Sequence, residues 1–347
     1  MADSFFLTRW LYLGMSWVYE QLNLLFGPST GILGGWIIVV TILIFTIGIK
    51  LLTLFTDIKQ RKSSMKMQAI QPELDRIRKK YENDPQKLNV EQQKIMKANG
   101  VSTLGGCLPM LIMFPLLIMF FNAFRAWSGE QLLNLLMEIE NGNGPETFEG
   151  FRFLWITNVW RPDNLKAGGA LMSASEFWST YTTTYNVKDF VFFNNNEQVL
   201  SELLYKLHFF TVEFDAAGNM QYVFAKDGGA AFANAYNNFL LPLTGSVENF
   251  ATRSNGMAIL PILSGATTFL STWLTQRKQP KSDAAGQAGS MKMMMYMMPL
   301  ITVFFCWQYD ATFAFYWTFS NVVSLVVTLI LNKTMFKENK DQVEVIK

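Results

Sequence analysis

One stretch, Gly31–Phe55, constrains this chain more than any other: it reads GILGGWIIVVTILIFTIGIKLLTLF. Nearly every residue is apolar, yet Lys50 sits well inside it. About 20 consecutive apolar residues suffice to cross a bilayer as a helix. A charge at that depth is expensive and marks a functional position by default. Lys50 lies seven residues before Asp57. It is therefore roughly 10 Å from the end of its span, at ~1.5 Å per residue. The residues alone leave two readings open. A lysine stem can reach about that far, so the ammonium can snorkel to the interface. Alternatively, Lys50 faces a water-filled cavity among helices.

Composition supports the membrane setting. Only 16% of the 347 residues are charged and 50% are hydrophobic, whereas soluble domains carry about 25% charged residues. This implies a polytopic membrane protein with some soluble mass. The two cysteines, Cys107 and Cys306, lie in separate apolar segments and build no disulfide framework or metal cluster. The one histidine, His208, sits in a polar region and reads as solvated. With no His/Cys/Asp cluster, Ser–His pair or phosphate loop, the sequence argues against an enzyme and for no cofactor or metal. The start, MADSFFLTRW, has no basic n-region followed by an apolar core and cleavage site, so it is not read as a signal peptide.

The apolar segments then fall into order. Residues 4–27 place Arg9, Ser16, Glu20 and Asn23 on one narrow stripe beside Phe6, Trp10, Leu13, Trp17 and Leu24. This moment fits a helix lying in the membrane interface, with a poor transmembrane helix as the competing reading. The first span is about Trp36–Phe55. From Lys59 to Lys97 there are eleven Lys/Arg in 39 residues, with Met67, Ile70, Leu74 and Ile77 at helical spacing. A turn at Tyr81–Pro85 makes this a helical hairpin, and its basic excess places it in the cytoplasm.

The second span, about Leu104–Trp127, carries Pro109 and Pro115. Residues 128–255 hold far fewer basic residues and are assigned to the outer side. Within them Phe151–Trp160 reads as an aromatic segment at the membrane surface, and His208–Phe224 as a β-hairpin around Gly218-Asn219. The third to fifth spans are about Met257–Leu274, Met291–Trp307 and Ala311–Leu331, and the tail Phe336–Lys347 is expected to be irregular. The predicted architecture is therefore all-α and polytopic, with five transmembrane helices and a small α+β insertion. Its N-terminus lies outside and its C-terminus in the cytoplasm.

Polar residues recur along these spans. Thr46 and Thr53 flank Lys50 on one helix face, at i−4 and i+3. Ser264, Thr267, Thr268 and Ser271 follow i, i+3, i+4, i+7 on the third span. The fifth span offers Tyr316, Thr318, Ser320, Asn321 and Ser324. Any one such hydroxyl is commonly helix packing. Three stripes and a buried cation together point to a hydrophilic groove. The Met-rich run Met291–Met298 offers adaptable apolar contact, or plain lipid-facing packing.

The motifs KLLTLFTDIKQRKSSMKM (Lys50–Met67), LGGCLP (Leu104–Pro109), ILPILSGATTF (Ile259–Phe269), the Met-rich Lys292–Phe305 and FYWTFSN (Phe315–Asn321) resemble the YidC/Oxa/Alb membrane-protein insertase family in order and spacing. The resemblance covers roughly residues 4–127 and 255–337. It implies a monomeric insertase and chaperone of the bacterial plasma membrane, with a positively charged groove open to cytoplasm and lipid. The implied partners are nascent membrane proteins, the Sec translocon, the translating ribosome and the bilayer, without nucleic-acid specificity. The family's groove arginine falls on Lys50, its groove threonine on Thr46, and its aromatic pair on Tyr316 and Trp317. With Thr53, Ser264, Thr267, Thr268, Ser271, Ser320 and Asn321, these are the expected groove residues.

The chain departs from the family in three ways: lysine replaces arginine, the turn Tyr309–Thr312 lacks the usual Pro/Gly, and there is an insertion at about 165–250 that the core does not need. It is expected to be of the form without the large N-terminal periplasmic domain, and its short, weakly basic tail argues against strong tail-mediated ribosome binding. Two competitors remain: an anion transporter or channel using Lys50, and a membrane scaffold.

Overall fold

A computed structural model describes residues 6–27, 31–100, 108–184, 186–244, 254–276 and 285–345. The chain is mostly helical. Helix α1 spans Phe6–Phe26, α2 Gly31–Lys80, α3 Pro85–Ala98 and α4 Leu108–Glu140. Short helices α5 (Gly144–Glu149), α6 (Ala174–Ser179), α7 (Val191–Asn195) and α8 (Glu197–Lys206) follow. Strands β1 (Phe210–Phe214) and β2 (Met220–Phe224) lead to α9 (Ala230–Phe239) and α10 (Leu241–Thr244). The C-terminal part holds α11 (Ile259–Gln276), α12 (Ala285–Gln308) and α13 (Ala311–Val345). Leu33–Thr56 and Ala311–Ile330 are long and apolar enough to cross a membrane, and Ile259–Leu274 and Met295–Gln308 are shorter apolar helices.

The long helices continue past the apolar limits read from sequence. α2 carries the first span through Pro72 to Lys80 as one helix of 50 residues. α4 extends beyond Trp127 to Glu140. The tail expected to be irregular continues α13 to Val345. Polarity ends a membrane span but does not end a helix, because Glu, Lys, Gln and Met all have good helix propensity. The opening of the second span, residues 104–107 with Cys107, lies outside the described residues.

The chain divides into two compact units. The first comprises Met1–Phe45, Met119–Pro261 and Phe305–Phe315; the second comprises Thr46–Ile118, Ile262–Phe304 and Tyr316–Lys347.

In the first unit, α1 buries Thr8, Met15 and Leu22, one residue every two turns, and exposes Trp10, Leu13, Trp17, Leu24 and Leu25. An exposed apolar stripe of this kind fits an interfacial helix and a transmembrane one alike. Tyr12 Oη donates to Glu130 Oε2 in a very short contact, joining α1 to α4. The insertion packs directly on α4. Tyr181 Oη donates to Gly129 O at 2.7 Å, and the Phe192 N–H donates to Glu130 Oε1 at 3.3 Å. Its aromatic core centres on Phe177, whose ring lies 4.6 Å from Tyr181, 5.0 Å from Tyr236 and 5.3 Å from Phe209. The antiparallel hairpin runs from Phe210↔Phe224 to Phe214↔Met220, as its alternation predicts. Gly218 takes φ +81° in the connecting turn, a conformation open to glycine at no steric cost.

The segment expected to lie flat on the membrane surface is instead core. Phe151, Phe153, Ile156, Val159 and Trp160 are all buried. Trp160 meets Trp127 edge-on at 4.7 Å, and Phe153 meets Trp36 at 4.8 Å and Phe315 at 5.3 Å. Edge-to-face aromatic packing of this kind is favourable beyond the area it buries.

In the second unit, the hairpin of α2 and α3 closes over Ile70, Leu74 and Ile95, flanked by Met67, Ile77 and Met96. The apolar positions read from sequence are thus the ones that pack. Asp84 caps α3 by accepting from the Lys87 N–H at 3.1 Å, satisfying one of the orphan donors of a helix start.

Candidate functional site: a polar seam and a half-buried lysine

The second unit turns the soluble pattern inside out. Hydroxyls are enclosed and large apolar side chains face outward. Thr46, Ser264, Thr268, Thr302 and Thr318 are all buried, while Leu52, Ile262, Phe304 and Val326 are exposed. In lipid no hydrophobic force drives helices together, so small residues and polar contacts hold them. Gly265 shows the same logic: a Cβ there would lie 2.4 Å from Val303 Cγ2. The absence of a side chain allows α11 and α12 to approach closely.

The hydroxyl stripe of α11 meets α13. Ser264 Oγ and Thr318 Oγ1 share a hydrogen bond at 2.7 Å. Thr268 is the hub. Its Oγ1 donates to Ser264 O at 2.8 Å and accepts from Trp317 Nε1 at 3.1 Å and Asn321 Nδ2 at 2.8 Å. Asn321 Nδ2 also reaches Thr267 Oγ1 at 3.4 Å. From α12, Thr302 Oγ1 approaches Thr268 Oγ1 at 3.5 Å. Tyr316 is buried and hydrogen-bonded with Ser320 one turn on. The structure therefore brings Ser264, Thr267, Thr268, Trp317 and Asn321 into one seam, and pairs Tyr316 with Ser320. Ser271 is half-buried farther along α11. Thr318 belongs to the seam although the sequence placed it only among the polar residues of its span. Thr302 was not singled out at all, because a lone hydroxyl in an apolar run carries no periodic signal.

Lys50 and Thr46 occupy α2. Thr46 is fully buried and Lys50 half-buried, while the next residues, Leu51 and Leu52, are 65% and 80% exposed. Lys50 as a residue is thus more enclosed than the two leucines that follow it. Thr53 Oγ1 donates within its own helix, to Ile49 O at 3.1 Å and Lys50 O at 3.3 Å.

Outside the spans, Asp310 sits in the turn between α12 and α13. Burial lifts its carboxyl from the ordinary range to about 6, against the opposing pull of Arg161, a Ser128 hydrogen bond and Arg125. A carboxyl that binds its proton more tightly in the folded state stabilises the fold at low pH and loses that contribution as pH rises through about 6. Asp310→Asn is therefore expected to flatten the loss of thermal stability between roughly pH 4 and 6. Unfolding midpoints of both proteins in lipid nanodiscs across that range check this; parallel curves would refute it.

These helices and this seam define a mostly helical protein with helices apolar enough to cross a membrane and hydroxyls packed between helices. The model of the family described as 60Kd inner membrane protein matches residues 30–226 and 234–339; this chain belongs to that family. Relatives named membrane protein insertase YidC are similar to it. That of Clostridium perfringens is 34% identical over 146 residues, 42% of this chain and 54% of that protein. That of Fusobacterium nucleatum is 41% identical over 87 residues, 25% of this chain and 42% of that protein. That of Leptospira interrogans is 23% identical over 332 residues, 96% of this chain and 35% of that protein. The chain thus spans about half the length of the clostridial relative it matches.

Proposed function

We propose that this protein is a membrane-protein insertase that receives short polar segments of nascent membrane proteins in a groove beside Lys50. The observation that carries this reading is the enclosure of Lys50 and Thr46 on a helix whose adjacent leucines are exposed. It is supported by membership of the family and by the names its relatives bear. These relatives lend no support to an anion transporter.

In this reading five spans cross the membrane. α1 lies in the outer interface, the α2–α3 hairpin meets the emerging chain in the cytoplasm, and the C-terminus is cytoplasmic. The protein works as a monomer, alone or beside the Sec translocon and a translating ribosome. A short, often acidic segment enters the groove, where Lys50 and Thr46 replace the water around it. Charges then cross part of the bilayer rather than all of it, which lowers the desolvation cost. The flanking apolar segment leaves along the exposed apolar faces of α11 and α13. Its partitioning supplies several kcal/mol for a typical span, and the membrane potential adds ~2.3 kcal/mol per charge per 100 mV. No nucleotide chemistry enters the mechanism.

The test is site-specific photocrosslinking from Thr46 and Trp317 to ribosome-stalled membrane-protein chains. Adducts with the first apolar segment of the substrate are expected at both positions, but not from an exposed position of the insertion such as Val199. Absence of adducts from Thr46 and Trp317 with every substrate would sink the insertase reading.

A further inference from the structure

The segment Val159–Asn164 satisfies the ends of three helices at once. Asp163, fully buried, accepts from the Ala258 N–H at 2.9 Å through Oδ1 and from the Leu260 N–H at 2.8 Å through Oδ2. These are donors at the start of α11. Two residues earlier in the clasp, Arg161 O accepts from the Ala311 N–H at 3.0 Å, and Val159 O from the Thr312 N–H at 3.1 Å, at the start of α13. At the end of α12, Asn164 Nδ2 donates to Trp307 O at 3.2 Å. Helix ends leave such groups without intrahelical partners. Here one short peptide supplies them for three neighbouring helices.

The clasp is itself held rigidly. Trp155 Nε1 donates to Asp163 Oδ2 at 3.0 Å. Asn255 is fully buried and donates to Asn158 O, Arg161 O and Pro162 O at 2.8–3.1 Å. Gly256 must be glycine for Asp163 to reach its place: a Cβ there would lie 2.1 Å from Asp163 Oδ1. A carboxylate at a helix N-terminus is favoured by both the free N–H groups and the helix dipole. Because it caps α11 from 95 residues away in sequence, it fixes where that helix starts and how it is rotated.

We infer that Asp163 is a positioning residue that sets the register of α11, and through it the meeting of Ser264 and Thr268 with α13. Leu260 precedes Ser264 by one turn on the same helix, so a slip or rotation at the cap is carried along a stiff rod to the seam. The importance of that register for substrate rests on the insertase reading; the register itself does not.

The experiment measures register directly. In the full chain with Cys107 and Cys306 replaced, Ser264→Cys and Thr318→Cys put a thiol pair where the two oxygens now lie 2.7 Å apart. On addition of a mild thiol oxidant, which takes up the two electrons released by the thiols, rapid disulfide formation is expected with Asp163 intact. Asp163→Ala is expected to slow it by about fivefold or more, and Gly256→Ala to do the same by displacing the carboxylate. Asp163→Asn keeps one acceptor oxygen and should fall between; it also carries the test if the alanine variant does not fold. Phe177→Ala serves as control, since it damages the aromatic core of the insertion without touching the clasp. Its unfolding midpoint should fall while its disulfide rate stays at the parent value. A parental rate in both Asp163 variants, or an equal loss in Phe177→Ala, would overturn the assignment. A failed nascent-chain crosslink would leave the disulfide result standing, so the two proposals fail separately.

Discussion

Lys50→Glu is expected to reduce membrane insertion of substrates with acidic translocated segments by about tenfold or more, whereas Lys50→Arg stays within about twofold of the parent; a tenfold change corresponds to about 1.4 kcal/mol. Lys50 is half-buried on a helix whose next two residues are exposed leucines. There the effective dielectric is lower than in water, so sign matters more than at an open surface. Arginine keeps the charge and adds a planar fork; glutamate reverses the field that an entering carboxylate meets. A neutral Lys50→Gln separates two versions of the idea. If the groove needs only to be wet, glutamine keeps most activity; if it needs a cation, glutamine falls toward glutamate. The measurement is protease protection of substrates in proteoliposomes at equal protein content. Equal insertion by the glutamate and arginine variants would return Lys50 to the snorkelling reading.

Local signals in the sequence translated well. The hairpin was legible because Met67, Ile70, Leu74 and Ile77 repeat at helical spacing and all join one core. The β-hairpin was legible because alternation and Gly218 act within a few residues. The α11 stripe was legible as a stripe, but sequence could not say what it meets. Hydroxyls at i, i+3, i+4 and i+7 fit a wet wall or a helix contact equally well, and Thr268 proves to be bound to Trp317 and Asn321 of α13. Partners from other helices decided the matter. Asp163 and Asn255 left no readable trace for the same reason. An N-cap is recognised when it stands beside its helix, and Asp163 caps across an 85-residue insertion and more. The aromatic run at Phe151–Trp160 misled because hydrophobicity and aromaticity are shared by interfacial segments and by cores; only the rings of Trp36, Trp127 and Phe315 distinguish them. The insertion, which the family resemblance gives as unneeded by the core, covers Gly129 and Glu130 of α4, so its removal would uncover buried polar groups.

Gly35→Ala is expected to be among the most damaging single-methyl changes in this chain. A Cβ at Gly35 would lie 1.8 Å from Arg152 O, 2.6 Å from Arg152 C and 3.3 Å from Phe153 Cβ. Two of those atoms are backbone, so no rotamer change relieves the overlap. Either α2 moves away or the 152–153 peptide shifts, and the latter carries Phe153 out of its edge-on contacts with Trp36 and Phe315. Overpacking typically costs about 1–3 kcal/mol, and more where the backbone must move. Gly48 lies on the same helix, and a Cβ there meets nothing within 4 Å. Alanine at that position removes a helix-interior glycine, worth up to about 1 kcal/mol in favour of the variant. The same substitution on the same helix should therefore have opposite signs: a lowered unfolding midpoint and reduced accumulation for Gly35→Ala, and an unchanged or raised midpoint for Gly48→Ala. Thermal unfolding of the two variants in the same detergent reads both. Equal midpoints would mean that the close approach of α2 to Arg152 is not a feature of the folded protein.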